Sequence, residues 1–237
     1  MREGRAVRTE ILLGKEGVKR LEESRVAVFG VGGVGGYAVE ALARAGVGSL
    51  LLIDSDKVSE SNINRQIIAT ESTVGRYKTE VARERVLDIN PEARVDILNL
   101  FFSEQTAGEV DLTGVDYVID AIDSLSSKVY LISSVKERDI PIISAMGAGN
   151  KLDPTLFEVS DISKTSVCPL ARAVRVALRK KGINHLKVVY SKEEPHTSGE
   201  ERLPASVSFV PSVMGLIIAG EVIKSLAGCG ADGFHEK

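Results

Sequence analysis

The sequence predicts an α/β fold, a doubly wound Rossmann-like sheet that is mainly parallel and has an extended carboxy-terminal half. Short apolar runs of strand length alternate with segments of helical periodicity, which is the pattern of a parallel sheet covered by helices. A glycine-rich turn joins the first apolar run to a helix. The chain has 237 residues, of which 43% are hydrophobic, and this is enough for one sizeable domain with a complete core.

We expect residues 1–237 to form a single domain with three parts. Residues 1–24 form an amino-terminal helical segment, with a short helix from Glu16 to Glu23. Residues 25–150 form the nucleotide-binding core, and residues 151–237 form a less regular part that faces the substrate.

The stretch RVAVFGVGGVGGYAVEALARAGVGSLLLID, residues 25–54, carries the strongest signal. An apolar run, Val26 to Phe29, precedes a G-x-G-x-x-G pattern and a helix from about Gly33 to Ala45. Glycine lets backbone N–H groups approach a phosphate at the helix start, and the glycines concerned are Gly30, Gly32, Gly33 and Gly35. Asp54 ends the next apolar run, Leu50 to Ile53, where nucleotide folds place a ribose-binding acid. The stretch predicts a nucleotide site, and the alternative is that its glycines only close a tight turn.

A long polar connection from Ser55 to Thr73 follows, and long ordered loops are often functional. Its polar side chains crowd together at Asn62, Asn64, Arg65 and Gln66. The next helix, from about Arg76 to Ile89, has Lys78 in its first turn, where a cation opposes the helix dipole. A polyphosphate ligand would favour a cation there. Arg65 and Lys78 are therefore candidate phosphate-binding residues, and the alternative is that they are ordinary surface charges.

Three further parallel strands are expected at Arg94–Leu98, Val115–Ile119 and Pro141–Ala145. Asp120 and Asp123 follow the middle one, and the carboxyl ends of parallel strands face the ligand crevice. Asp123 could hold a magnesium ion on a triphosphate, or cap the helix from about Leu125 to Arg138, and both can hold together. The turn MGAGNKLD is expected to leave the sheet as a flexible glycine turn.

The second half contains a window without acidic residues, from Ile162 to Lys192, in a chain of net charge −3. Its basic residues include a helical series and the pair that follows it, namely Arg172, Arg175, Arg179, Lys180 and Lys181. Spacings of three and four place the arginines on one helix face, which could contact a nucleic-acid backbone or only solvent. Strands are expected at Leu156–Val159 and Lys187–Tyr190, a polar loop at Ser191–Ala205 and an apolar helix at Val213–Leu226.

Composition excludes several classes of protein. Two cysteines without a CxxC motif exclude a four-cysteine zinc site and argue against a disulfide scaffold. No apolar run reaches the roughly 18 residues of a membrane span, and the amino terminus lacks a signal peptide, so we expect a cytoplasmic protein without a membrane partner. Cys168 begins the basic helix and could be a nucleophile or a small apolar filler.

Four stretches, in this order, resemble the ubiquitin-activating-like adenylating superfamily that includes ThiF, MoeB and HesA. They are GVGGVGG, LLLIDSDKVSESNINRQ, VGRYKTEVARERVLDINP and VIDAID. Within it the chain is most similar to the dehydratases that cyclise threonylcarbamoyladenosine in tRNA, through RTEILLG, IPIISAMGAGNKLDPTLFEVSDISKT and PLARAVRVALRKKGI. The lack of two CxxC pairs distinguishes it from the sulfur-carrier adenylyltransferases.

The resemblance implies an ATP- and Mg²⁺-dependent adenylation of the threonine carboxylate, followed by ring closure with loss of AMP. The partners implied are tRNA, a second copy of the chain in a homodimer, and a sulfur-relay protein. The glycine loop would hold the phosphates, Asp54 the ribose and Asp123 the magnesium, with Asp56 and Gln66 as further nucleotide-binding residues. The catalytic candidates are Asn62, Arg65 and Lys78, with Arg8 reaching the nucleotide of the partner subunit.

Two other functions stay open at this stage. One is an adenylyltransferase that activates the carboxyl terminus of a ubiquitin-like sulfur carrier. The other is an NAD-dependent oxidoreductase or a nucleotide-binding regulator. Asp54 is compatible with NAD, whereas Arg65 and Lys78 have no obvious role with it.

Overall fold

The computed structural model describes residues 3–196 and 205–229. Seven strands of this part form one sheet: β1 (Arg25–Phe29), β2 (Ser49–Ile53), β3 (Arg94–Leu98), β4 (Tyr117–Asp120), β5 (Ile142–Ala145), β6 (Phe157–Asp161) and β7 (Lys187–Ser191). Their order is β3-β2-β1-β4-β5-β7-β6. All neighbours pair in parallel except β6, which runs antiparallel to β7 at the edge. The predicted doubly wound, mainly parallel sheet is confirmed.

Helices cover both faces of the sheet: α1 (Glu3–Glu23), α2 (Gly35–Ala45), α3 (Lys78–Ile89), α4 (Leu125–Lys136), α5 (Pro169–Arg179) and α6 (Phe209–Ala227). Alternate residues of each buried strand point to opposite layers. Val26 and Val28 join a core with residues of α1, α2, α3 and α6, whereas Ala27 and Phe29 join one with α4 and α5. The near-continuous apolar character of the strands follows from this two-sided burial.

α1 has two helical segments that are separated at Gly14, whose φ of 76° and ψ of 162° are not helical. The segment after Gly14 contains the expected helix from Glu16 to Glu23, and the segment before it adds a helix that starts at Glu3. The last helix differs from the expected bounds. α6 begins at Phe209 and not at Val213, because Pro211 lies inside its first turn, where a missing N–H costs nothing.

The expectation that no apolar run reaches the length of a membrane span was wrong. With 19 residues, α6 is long and apolar enough by length and composition. It is nevertheless a core helix, because Val210, Met214, Ile218 and Val222 are fully buried. They belong to the same core as Val26 and Val28 of β1.

The chain changes direction between β1 and β4, which are neighbours in the sheet although two strands lie between them in sequence. Parallel sheets open a crevice at such a switch point, outside the carboxyl ends of the strands. Of the predicted polar loop Ser191–Ala205, residues 197–204 lie outside the described residues, as does the tail from residue 230.

Candidate active site

A cavity of about 940 Å³ lies at the carboxyl ends of β1, β2, β4 and β5. It is lined by most of the predicted nucleotide-site residues, namely Gly30, Gly32, Gly33, Asp54, Asp56, Asn62, Arg65, Gln66, Lys78 and Asp123. Sequence reasoning therefore selected side chains that come together from four separate segments. Gly35, Arg8 and the predicted tRNA-binding residues do not line this cavity.

The glycine loop has separate structural and ligand-facing positions. Gly30 has a φ of +86°, and a Cβ on it would lie 2.6 Å from the Ala121 carbonyl oxygen. A Cβ on Gly35 would lie 1.8 Å from the Gly30 carbonyl oxygen, so this glycine lets α2 begin directly under the loop. Gly32 and Gly33 face the cavity instead.

The start of α2 has no side-chain cap. Val34 precedes the helix and cannot accept hydrogen bonds from the first N–H groups, and no acidic residue occupies the first turn. Unsatisfied N–H groups and the positive end of the helix dipole together form an anion site.

Asp54 connects β2 to the glycine loop. One carboxylate oxygen accepts from the Val31 N–H at 2.7 Å and the other from the Asp56 N–H at 2.8 Å. Burial raises the pKa of Asp54 above its usual value, although the Lys78 charge and the two N–H donors act in the opposite direction. The carboxylate thus shapes the loop while it lines the cavity.

Lys78 is the first residue of α3 and is only 6% exposed. Its Nζ lies 2.6 Å from Asp56 Oδ2, and the Asp56 side chain is 64% exposed. A buried ammonium is thus paired with a carboxylate that water can solvate. A phosphate could replace that carboxylate as its partner.

The predicted polar cluster lies on a 3₁₀ turn, Glu60–Asn62, and the residues after it. Asn62 Oδ1 accepts from the Ser59 N–H at 3.2 Å, which leaves the amide nitrogen available to a ligand. Arg65 donates to the Ser61 carbonyl and to Asn64 Oδ1, each at 2.8 Å. Gln66 is buried, and its Oε1 has no hydrogen-bond partner within the described chain. Because an orphaned buried acceptor is costly, this amide fits a ligand with a donor group.

The acids after β4 have different positions. Asp120 is fully buried, with Oδ2 at 2.8 Å from Lys128 Nζ and at 2.5 Å from Ser144 Oγ. Asp123 is exposed and lines the cavity. Ser124 is the residue that precedes α4, so the alternative role of Asp123 as helix cap was wrong.

Lys128 was missed by sequence reasoning. It lies on the same face of α4 as Ile132 and Val135, and a lysine at such a position indicates a buried acidic partner. Within residues 3–196 and 205–229, no group of three or more His, Cys, Asp or Glu side chains could hold a metal ion.

The turn after β5 was expected to be flexible but forms a wall of the cavity, from Met146 to Lys151. Asn150 has a φ of 58°, and its Oδ1 accepts from the Ala205 N–H at 2.6 Å. Lys151 is 3% exposed and donates to the Glu193 carbonyl at 2.5 Å. Glu193 and Ala205 lie more than forty residues away in sequence from the residues they bond, so no local sequence pattern predicts these two hydrogen bonds. Cys168, at the start of α5, is buried in the same cavity wall.

Of the five basic residues predicted to contact tRNA, four are exposed. Arg172 and Arg179 lie on α5, and Lys180 and Lys181 directly follow it. Arg175 is partly buried, and its Nη1 donates to the Thr165 carbonyl at 2.9 Å and to Thr165 Oγ1 at 2.5 Å. Arg175 therefore fastens the preceding loop and is not a free surface cation, which corrects the prediction.

A second cavity, of about 710 Å³, lies beside α5. It has an apolar floor and a basic rim, made by Val129, Val167, Pro169, Arg172, Ala173, Val176, Ala177, Lys180 and Lys181. Pro169 lines both cavities, so the basic groove adjoins the candidate active site at the start of α5.

Arg8 is exposed on α1 and has no hydrogen-bond or ion-pair partner in the part of the chain that the structure describes. Three apolar side chains close to it in sequence are also exposed: Val7 by 50%, Ile11 by 81% and Leu12 by 83%. Such a contiguous apolar surface is typical of an interface.

Comparison with known proteins gives concordant matches. The ThiF family model matches residues 4–237. The chain is 46% identical over 236 residues to the tRNA threonylcarbamoyladenosine dehydratase of Bacillus subtilis, covering 92% of this chain and 93% of that protein. It is 42% identical over 171 residues to the Escherichia coli protein of the same name, covering 72% and 64%.

Solved structures of the E. coli tRNA N6-threonylcarbamoyladenosine dehydratase share the fold. Its complex with ATP superposes with a TM-score of 0.89 at 35% identity, covering 95% of this chain and 94% of that chain. Its complex with AMP gives a TM-score of 0.89 at 34% identity with the same coverage.

Proposed function

The chain belongs to the ThiF family, and we propose that it is an ATP-dependent dehydratase that cyclises threonylcarbamoyladenosine in tRNA. One observation carries the proposal. A single cavity combines an uncapped glycine loop with Asn62, Arg65 and Lys78, which is the donor set that an ATP adenylation reaction requires. The dehydratases named above, including the one solved with ATP and with AMP, support the same reaction.

The reaction has two balanced steps. A threonine carboxylate oxygen attacks the α-phosphorus of ATP, and pyrophosphate leaves. An internal nucleophile of the modification then attacks the acyl carbon, and AMP leaves with the former carboxylate oxygen. The net loss of water from the nucleoside is thus coupled to cleavage of ATP.

The residues of the cavity act on the charge that moves in the first step. The uncapped N–H groups at the start of α2 hold phosphate oxygens, and Lys78 exchanges Asp56 for the negative charge that accumulates as pyrophosphate leaves. Arg65 and Asn62 line the same cavity and hold the triphosphate together with these groups. Apart from this exchange of partner by Lys78, the donors are already held in the cavity before the reaction begins.

Asp54 and Gln66 bind the nucleoside end in this proposal. The Asp54 oxygens each accept one backbone N–H and retain lone pairs for the ribose hydroxyls. Gln66 also lines the cavity and contacts the nucleotide in this proposal.

Magnesium completes the proposed site. Asp123 is an exposed carboxylate in the cavity wall, and Mg²⁺ is commonly held by one or two carboxylates together with substrate phosphates. The ion would neutralise the triphosphate and polarise the α-phosphorus.

Homodimerisation would complete the site with Arg8 of the second subunit. The exposed Val7, Ile11 and Leu12 around Arg8 supply apolar area for such an interface. A mixing experiment tests this arrangement with Arg8→Ala and Lys78→Met, each inactive alone. Subunit exchange should restore roughly a quarter of wild-type activity, since half of the dimers are mixed and each has one complete site. No recovery on proven exchange would contradict a shared site.

The tRNA would lie along the basic groove beside α5. Arg172, Lys180 and Lys181 are exposed cations that line that groove, and the groove adjoins the active-site cavity at Pro169. Arg179 is exposed on the same helix and would extend the basic surface beyond the groove. Contact with a sulfur-relay protein, a cytoplasmic location and the division of the domain at residues 24 and 150 stay predictions.

One assay tests the proposed function. The protein is incubated with ATP, Mg²⁺ and tRNA that carries threonylcarbamoyladenosine, and the nucleosides are analysed by mass. We expect the loss of one water per modified nucleoside and one AMP per product. AMP formation that needs a ubiquitin-like carrier protein, with no change in the tRNA, would instead identify a sulfur-carrier adenylyltransferase.

A further inference from the structure

The active-site cavity is longer than its nucleotide-binding part. In the sheet order, the ends of β2, β1, β4 and β5 place Asp54, the glycine loop, Asp123 and the turn from Met146 to Lys151 in a row. A nucleotide whose ribose contacts Asp54 and whose phosphates extend towards Asp123 leaves the β5 end unused. The second reactant must approach from that end, which also adjoins the basic groove at Pro169.

Lys151 is the buried cation at this end of the cavity. Its side chain is 3% exposed, and its ammonium donates to the Glu193 carbonyl at 2.5 Å. An ammonium has three donors, so two remain for other partners. Lys151 has no carboxylate within the 4.0 Å of an ion pair among the residues that the structure describes.

The nearby carboxylate of Glu193 is already committed to other donors. It accepts from the backbone N–H groups of Leu152 at 2.8 Å and Asp153 at 2.9 Å, and it lies 2.9 Å from His196 Nε2. Burial raises the pKa of Glu193, but these donors and the Lys151 charge outweigh it and leave the pKa below its usual value. Glu193 therefore stabilises the turn. The Lys151 side chain lies near this carboxylate but donates to the Glu193 backbone carbonyl and makes no direct ion pair with the carboxylate.

A buried ammonium that makes no direct ion pair is stabilised further when a ligand brings a carboxylate to it. We propose that Lys151 binds the carboxylate of the acceptor, the threonine carboxylate that is to be adenylated. This inference rests on the proposed function and adds a binding residue for the second reactant. The ammonium holds one carboxylate oxygen and leaves the other oriented towards the α-phosphorus.

The test compares two ligands that differ only in charge. The first is an anticodon stem-loop with threonylcarbamoyladenosine, and the second carries a primary carboxamide in place of the carboxylate. Affinities are measured with a non-hydrolysable ATP analogue present. Wild-type protein should prefer the carboxylate by at least about tenfold, as expected for a charge-assisted hydrogen bond in a buried site.

Lys151→Gln should abolish this preference, because the glutamine side chain is polar but carries no charge. It should leave the affinity for the ATP analogue unchanged. Lys151→Met gives the same comparison if the glutamine variant does not fold. Lys136→Gln, which removes a lysine at the far end of α4, is the matched control and should retain the preference.

The outcomes separate this inference from the proposed function. A wild-type protein that cyclises the stem-loop, with a Lys151→Gln variant that still prefers the carboxylate, would overturn the inference alone. Equal weakening of both ligands in the variant would also overturn it, since that result indicates a purely structural lysine. A wild-type protein that binds ATP but neither binds nor cyclises the stem-loop would overturn the proposed function.

Discussion

Lys78→Met should separate catalysis from stability. The variant retains the aliphatic stem and removes the ammonium. Its ion pair with Asp56 is partly solvated, since the Asp56 side chain is 64% exposed, so losing it costs no more than about 1 kcal/mol. Removing a cation from the first turn of α3 returns about 0.3–1 kcal/mol, because that cation opposes the helix dipole. The free energy of unfolding should therefore change by less than about 1 kcal/mol.

The effect on the reaction should be far larger. A preorganised donor at the developing phosphate charge is worth about 3–4 kcal/mol, so AMP formation should fall about 100- to 1000-fold. Urea unfolding and acceptor-dependent AMP release measure the two quantities on the same preparation. Lys57→Met is the matched control, because Lys57 is exposed, lies over the Tyr77 ring and does not line the cavity. Turnover within threefold of wild type in Lys78→Met would refute the phosphate role.

Three further predictions concern the framework of the site. Gly35→Ala should destabilise the fold by about 3 kcal/mol in urea unfolding, because the new Cβ would lie 1.8 Å from a carbonyl oxygen. Lys128→Met should cost about 3–5 kcal/mol by leaving Asp120 buried and unpaired, and adding Asp120→Asn should restore part of that loss. Burial raises the pKa of Glu40, but the hydrogen bonds and charges of Arg85 and Arg44 outweigh this effect and bring the pKa below its usual 4.5. The Glu40 pairs thus stabilise the fold above about pH 4.5 and are lost as pH falls through the lowered pKa. Glu40→Gln should cost about 1 kcal/mol at pH 7 and progressively less in acid.

The features that the sequence predicted correctly depend on local patterns. The apolar run, glycines and acid of residues 25–54 lie within one βαβ unit, so spacing alone relates them. Lys78 was recognisable because a lysine in a helix's first turn conflicts with the dipole. Lys128 could have been recognised by the same kind of conflict, as a charge on an apolar helix face.

The features that the sequence did not predict depend on how deeply a side chain is buried or on partners that are distant in sequence. Helical spacing predicts that Arg175 lies on the basic face. Only the three-dimensional structure shows that its guanidinium donates to the Thr165 carbonyl of the preceding loop. Lys151 and Glu193 meet because β5 and β7 are neighbours in the sheet. The predicted helix Val213–Leu226 was shorter than α6, because the start of α6 contains Pro211, and a proline can either precede a helix or lie in its first turn.

Transfer of a carboxylate oxygen to AMP tests the central claim most directly. The threonine carboxylate of the modified tRNA is labelled with heavy oxygen, the reaction is run to one turnover, and AMP is analysed by mass. Adenylation of that carboxylate predicts one heavy oxygen in the phosphate of each AMP formed. Cyclised product accompanied by unlabelled AMP would contradict the account, because water and not the threonine carboxylate would then have attacked the α-phosphorus.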